Sequence, residues 1–209
     1  VEAKKGRHHK DSRPFQSTDK EVTGEFLKDR VLLAREGLTE ALKLRSSSGL
    51  GIRGPICIYD LAERLGLEVR FVEVPSLEGM YCKFSPPLIL ISSLRPVGRR
   101  AFTCAHELGH HIFGHGMQAD TYFDDPANAK PSSPEEFQAN CFAGFLLMPK
   151  LAVSRAFAIR GVEPEKASPE VIYGIANWFG VGYAALIRHM RESLGMLTFQ
   201  RSSELEKVT

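Results

Sequence analysis

FTCAHELGHHIFGHG, residues Phe102 to Gly116, is the stretch on which the reading of this chain turns. At its centre His106, Glu107 and His110 spell H-E-x-x-H. A helix turns about 100° per residue, so side chains four apart share a face one turn from each other. His106 and His110 can therefore offer two imidazole nitrogens to one ion, at the roughly 2.0–2.1 Å that a zinc–nitrogen bond requires. Glu107 lies about 100° further round the cylinder, displaced from the ligand face but within reach of a water beside the metal. An H-E-x-x-H arises by chance on the order of once in a hundred chains of this size, so its surroundings have to carry weight. Phe102, Leu108, Ile112 and Phe113 make the segment a buried element. Gly109 costs the helix about 1 kcal/mol relative to Ala, which points to a close neighbour at that position.

A catalytic zinc takes three protein ligands and keeps its last vertex for water. His115 lies nine residues beyond His106, about 180° round a continuous helix, and faces away unless the helix breaks at Gly114. The extended metzincin register fails, because Phe113 and Gly116 stand where it needs a glycine and a histidine. His115 then reads as a helix-terminal cation or a structural hydrogen-bonder, and His111 likewise points off the ligand face. The better third ligand lies in SPEEFQANCFAGFLLMP, residues 133–149. Glu136 and Asn140 are four apart, so Glu136 can ligate while Asn140 orients a histidine. Ser133, Pro134, Glu135 and Glu136 also spell a capping box. Spacing by itself leaves ligation by Glu136, ligation by Glu135 and simple helix capping in competition.

Outward from these two helices the chain is orderly. Phe26, Val31, Leu32, Leu38, Ala41, Leu42 and Leu44 recur at helical steps, with Gly37 placed to divide them into two helices. Gly49, Gly51 and Gly54 form a literal G-x-G-x-x-G, but a helix precedes it and Pro55 closes it, so it reads as a connector and not as a nucleotide loop. ICIYDLAERLGL reads as a short helix; EVRFVEV, GMYCKF and PLILISS read as three strands close enough for an antiparallel meander. If PLILISS lies at the sheet edge it could pair with an extended peptide; as a core strand it could not. Helices are expected over 99–115, 134–148, 151–160, 169–179 and 182–195. The polar loop 116–134 is either a gate over the cleft or plain disorder.

The 209 residues suit one domain, expected over 26–198 with a helical extension at 151–197, flanked by polar tails at 1–25 and 199–209. His8 and His9 fall in the first tail. A net charge of +2 leaves no electrostatic footprint for a polyanion. No apolar run approaches the roughly 18 residues of a membrane span. The start of the chain shows no export signal, and Cys57, Cys82, Cys104 and Cys141 are widely spaced, so a cytoplasmic protein with free thiols is expected.

FTCAHELGHHIFGH followed by EEFQANCFAGFLLMP resembles the ImmA/IrrE-type metallopeptidases, which join an HExxH helix to an ExxAN helix. The likeness runs through roughly residues 28–197. It implies an α+β, zincin-like fold, a small antiparallel sheet packed on the active-site helix pair, with further C-terminal helices. It assigns the third ligand to Glu136 and Glu107 to catalysis, with zinc as cofactor and Mn2+ as an alternative of similar coordination. It also implies cleavage of a protein substrate, a helix-turn-helix repressor, in a regulatory stress response. Gly182 stands where the family usually has Ser, and the frequent N-terminal DNA-binding domain is not represented. Tyr81 or a loop histidine is expected to supply a second donor to the developing oxyanion. A rival reading takes VIYGIANWFGVGYAALIRHM as a helix-turn-helix DNA reader. Its second helix opens Gly182-Tyr183-Ala184-Ala185-Leu186, which offers little to base edges.

Overall fold

The computed structural model describes residues 18–121 and 133–208, with side chains from 29–117 and 133–208. His8, His9 and the gating part of the 116–134 loop fall outside these. The element order is α1 (Thr18–Ser47), α2 (Ile58–Arg64), β1 (Glu68–Val72), β2 (Leu77–Cys82), β3 (Leu88–Ser92), α3 (Val97–Phe113), β4 (Gln118–Thr121), α4 (Pro134–Leu147), α5 (Lys150–Ile159), α6 (Pro169–Phe179), α7 (Tyr183–Glu192) and α8 (Phe199–Glu206).

The fold is α+β and zincin-like, as the sequence leads one to expect, but its sheet is mixed. The strand order is β1-β3-β2-β4, with β1 parallel to β3 and the other pairs antiparallel. The expected meander fails because β3 takes the centre. LILIS is the most apolar of the strands and is buried at four of its five positions, so it is stable only with a neighbour on each side. The more polar EVRFV of β1 tolerates an edge. PLILISS is therefore a core strand, and β1 and β4 are the edges.

Helix α3 packs on β2 and β3, α4 packs on α3, and α1 runs along α4. Gly37 does not divide α1. A Cβ there would sit 3.0 Å from the Phe142 backbone nitrogen and 3.1 Å from Cys141 Cβ, so glycine is what lets the two helices touch. Helix α1 also begins at Thr18, ahead of the first legible apolar repeat near Phe26. The glycine-rich connector is pinned by Arg45, fully buried, whose guanidinium donates to the carbonyls of Gly51, Gly54 and Leu146. Cys82, Cys104 and Cys141 are buried, Cys57 is exposed, and all four are free thiols.

The C-terminal helices cover the far side of α4. Helix α7 buries Tyr183, Leu186 and Ile187 in the core and leaves Ala184 and Arg188 exposed. Part of the expected polar tail is helical: Thr198 Oγ1 accepts from Arg201 N at 3.2 Å to start α8, which buries Ser202 and Leu205. One apolar anchor in eight residues is too faint a periodicity to read from sequence. Among the described residues no single helix is long and apolar enough to cross a membrane.

Candidate metal centre

Helix α3 carries His106, Glu107 and His110 on its buried side, and Gly109 lies between the two histidines and α4. A Cβ at 109 would approach Ala139 Cα to 3.2 Å and Phe142 Cδ1 to 3.1 Å, so glycine allows the helices to come together where the site forms. The close neighbour expected from sequence is thus the α4 backbone.

That approach brings Glu136 onto the histidine pair. His106 Nε2 and His110 Nε2 are 3.0 Å apart; Glu136 Oε2 is 3.1 Å from the first and Oε1 is 3.3 Å from the second. Donors at zinc-bond length on a tetrahedron stand about 3.3 Å from one another, so the three groups fit one small cation. Among the described residues this is the cluster whose ligand atoms all lie within 4.8 Å of each other. The closeness of His106 and His110 holds the Glu136 carboxyl far below the usual carboxylate range, which keeps it anionic.

Capping and contact with the histidines use different atoms of Glu136, so the two tasks do not exclude each other. Ser133 Oγ accepts from the backbone N–H of Glu136 at 3.2 Å, starting α4, while the Glu136 carboxylate turns to the histidines. Glu135 lies on the exposed side of that turn. Asn140, one turn on, places Oδ1 3.2 Å from His106 Nδ1. The ring then donates from Nδ1 and keeps the Nε2 lone pair for the cluster.

Glu107 is 1% exposed and faces β2. Gly79 of β2 makes the room: a Cβ there would lie 2.6 Å from Glu107 Oε1 and 2.3 Å from Thr103 Cγ2. Burial, and then the charge of Glu107, pushes the neighbouring Cys82 and Cys104 thiols upward, leaving both protonated. The Tyr81 hydroxyl is 2.9 Å from His111 Nδ1. His115 does reach the site. The helix stops at Gly114, whose φ of 70° is left-handed, and the chain folds back so that His115 Nδ1 is 2.9 Å from His110 Nδ1.

Residues 62–190 match the model of a peptidase family described as the IrrE N-terminal-like domain. The chain belongs to that family. The match spans more than half of the sequence and includes every residue of the cluster, so this is a metallopeptidase-like domain with a metal-capable triad. No curated protein sequence matches the chain. Among solved structures, a Mycobacterium tuberculosis transcriptional regulator is similar, with a TM-score of 0.49 and 19% identity, over 79% of this chain and 51% of that one. The chain thus spans about half the length of that regulator. Within the IrrE N-terminal-like domain, sequence reasoning named the triad, Glu107 and Asn140. It missed Gly79, whose importance comes from a strand packing across a helix, and Gln138, together with Glu36 on α1 ahead of the matched residues.

Proposed function

We propose that this protein is a zinc-dependent endopeptidase in which His106, His110 and Glu136 hold the metal and Glu107 is the general base. The observation that carries this reading is the convergence of two imidazoles and an ionised carboxylate, with a second buried carboxylate one helical step to the side. Two neutral imidazoles and a carboxylate suit zinc, with Mn2+ as the alternative. When bound, the cation supplies Lewis acidity, which makes water nucleophilic at neutral pH and polarises the scissile carbonyl. Glu107 takes the proton of the attacking water as its oxygen joins the carbonyl carbon, then returns it to the amine as the C–N bond breaks. Asn140 keeps His106 in the tautomer that leaves Nε2 free. The outer edge of β4, beyond β2 in the strand order, suits an extended substrate by strand addition.

Membership of the family supports a protein substrate such as a repressor; the proposal places its cleavage in the cytoplasm, in a stress response, with no direct contact between this chain and nucleic acid. The test is elemental analysis beside peptide cleavage for wild type, Glu107→Gln and Glu136→Ala. Expected are one metal per chain in wild type and Glu107→Gln, cleavage in wild type alone, and loss of metal in Glu136→Ala. Full metal in Glu136→Ala removes it from the ligand set; cleavage by Glu107→Gln removes the base.

A further inference from the structure

The two histidines of the cluster are held in different ways. His106 meets the neutral amide of Asn140, whereas His110 stands at the end of a chain of hydrogen bonds that crosses three helices and leaves the family-matched region. His110 Nδ1 is 2.9 Å from His115 Nδ1; His115 Nε2 is 3.1 Å from Gln138 Oε1; Gln138 Nε2 donates to Glu36 Oε2 at 2.6 Å. Gln138 is on α4 and Glu36 is on α1, outside residues 62–190.

The chemistry of the donors leaves one arrangement of protons. A carboxylate only accepts, so Gln138 must turn its NH2 to Glu36 and its oxygen to His115. His115 must then carry its proton on Nε2, which leaves Nδ1 as an acceptor. An accepting Nδ1 on His115 requires a proton on His110 Nδ1, and that leaves the His110 Nε2 lone pair directed at Glu136 and His106. Every link depends on the one before it, and the groups of fixed character are the two acceptor carboxylates, Glu36 at the far end and Glu136 beside His110 Nε2; a cation between Nε2 and Glu136 would let both be satisfied at once.

We infer that Glu36, acting through Gln138 and His115, is a positioning residue that sets which nitrogen of His110 is available to a metal. The inference rests on the metal-site reading above, and it gives α1 a part in the site that packing against α4 does not require. Glu36 is exposed, so it can be changed without opening the core.

The test uses the full chain and four variants: Glu36→Lys, Glu36→Gln, Gln138→Ala and His115→Ala. Zinc affinity is measured by competition with a chromogenic chelator, and the His110 tautomer by nitrogen-detected NMR of the metal-free protein. Lysine at 36 presents only donors, so Gln138 turns over, His115 shifts its proton to Nδ1, and His110 Nδ1 has to accept, which moves the His110 proton to Nε2, the nitrogen a metal needs. Glu36→Lys, Gln138→Ala and His115→Ala are expected to weaken zinc binding by roughly 10- to 100-fold, the range for partners that orient a ligand. Glu36→Gln still offers an oxygen and is expected to stay close to wild type. Wild-type affinity and an unchanged His110 tautomer in Glu36→Lys overturn the inference. Equal weakening in Glu36→Gln and Glu36→Lys also overturns it, because α1 docking would then be the cause. A wild type that binds no zinc removes the metal-site reading, and the tautomer measurement in the same samples still decides whether Glu36 controls His110.

Discussion

Replacing Gly79 with Ala separates catalysis from metal binding in one step. The new Cβ would lie 2.3 Å from Thr103 Cγ2 and 2.6 Å from Glu107 Oε1, so both contacts have to open by about 1 Å to reach ordinary packing distance. The two neighbours respond differently. Thr103 is β-branched and stiff in a helix, so its methyl group resists and the strand is pushed outward. Oε1 is the far end of a flexible side chain, so Glu107 gives way. Overpacking of this kind costs about 1–3 kcal/mol, which in a chain of this size lowers the melting temperature by roughly 2–12 °C. A displacement of about 1 Å at the general base costs on the order of 100-fold in kcat/KM. The cluster of His106, His110 and Glu136 lies off this contact, so zinc stoichiometry is expected to stay at the wild-type level. Adding Thr103→Ser removes the resisting methyl and should recover part of the stability. Elemental analysis, thermal unfolding and peptide cleavage on the same preparations give the three readouts. Wild-type kcat/KM with zinc retained would show that Glu107 does not need the space that Gly79 leaves, and the base assignment would fail with it.

Ser133→Ala should cost about 1 kcal/mol through loss of the α4 cap while zinc affinity holds, since the Glu136 carboxylate does not take part in the cap; a parallel fall in affinity would contradict that division. His189 is buried with Nε2 3.1 Å from Met148 O, and burial lowers its pKa to about 4. The unfolded chain takes up that proton near pH 6.5 and the folded chain does not, so this contribution is complete above pH 6.5 and falls away toward pH 4. The loss across that window is about 3 kcal/mol, and urea titrations of wild type and His189→Gln should differ in slope there; identical slopes refute it. Gly144→Ala would place a Cβ 2.5 Å from His189 Nδ1 and should destabilise by roughly 1–3 kcal/mol, seen as a lower urea midpoint.

Local spacing carried much of the fold. Sequence pattern located α2 through α7 within a few residues, from apolar stripes such as those of α3, α6 and α7 and, in α4, from a capped start, a run of apolar residues and a closing Pro149. It failed where that signal is thin or has another cause. Gly37 looked like a helix breaker and is a helix contact; α8 looked like a tail and is anchored by Leu205. The meander was wrong because sequential order says nothing of which strand most needs two neighbours.

The sequence by itself determined the chemistry of the candidate site: H-E-x-x-H on one helix and Glu136 with Asn140 on another are relations within a single turn, and helix geometry alone converts them into a shared face. Only the tertiary structure decided what lies between elements. It assigned the Ser133 cap to an amide and the Glu136 carboxylate to the histidines, put Gly79 against Glu107, and joined Glu36 to His110 across α1, α4 and the turn at Gly114. Those contacts join residues as many as 102 positions apart, and no local period encodes a distance that is settled by how helices and strands pack.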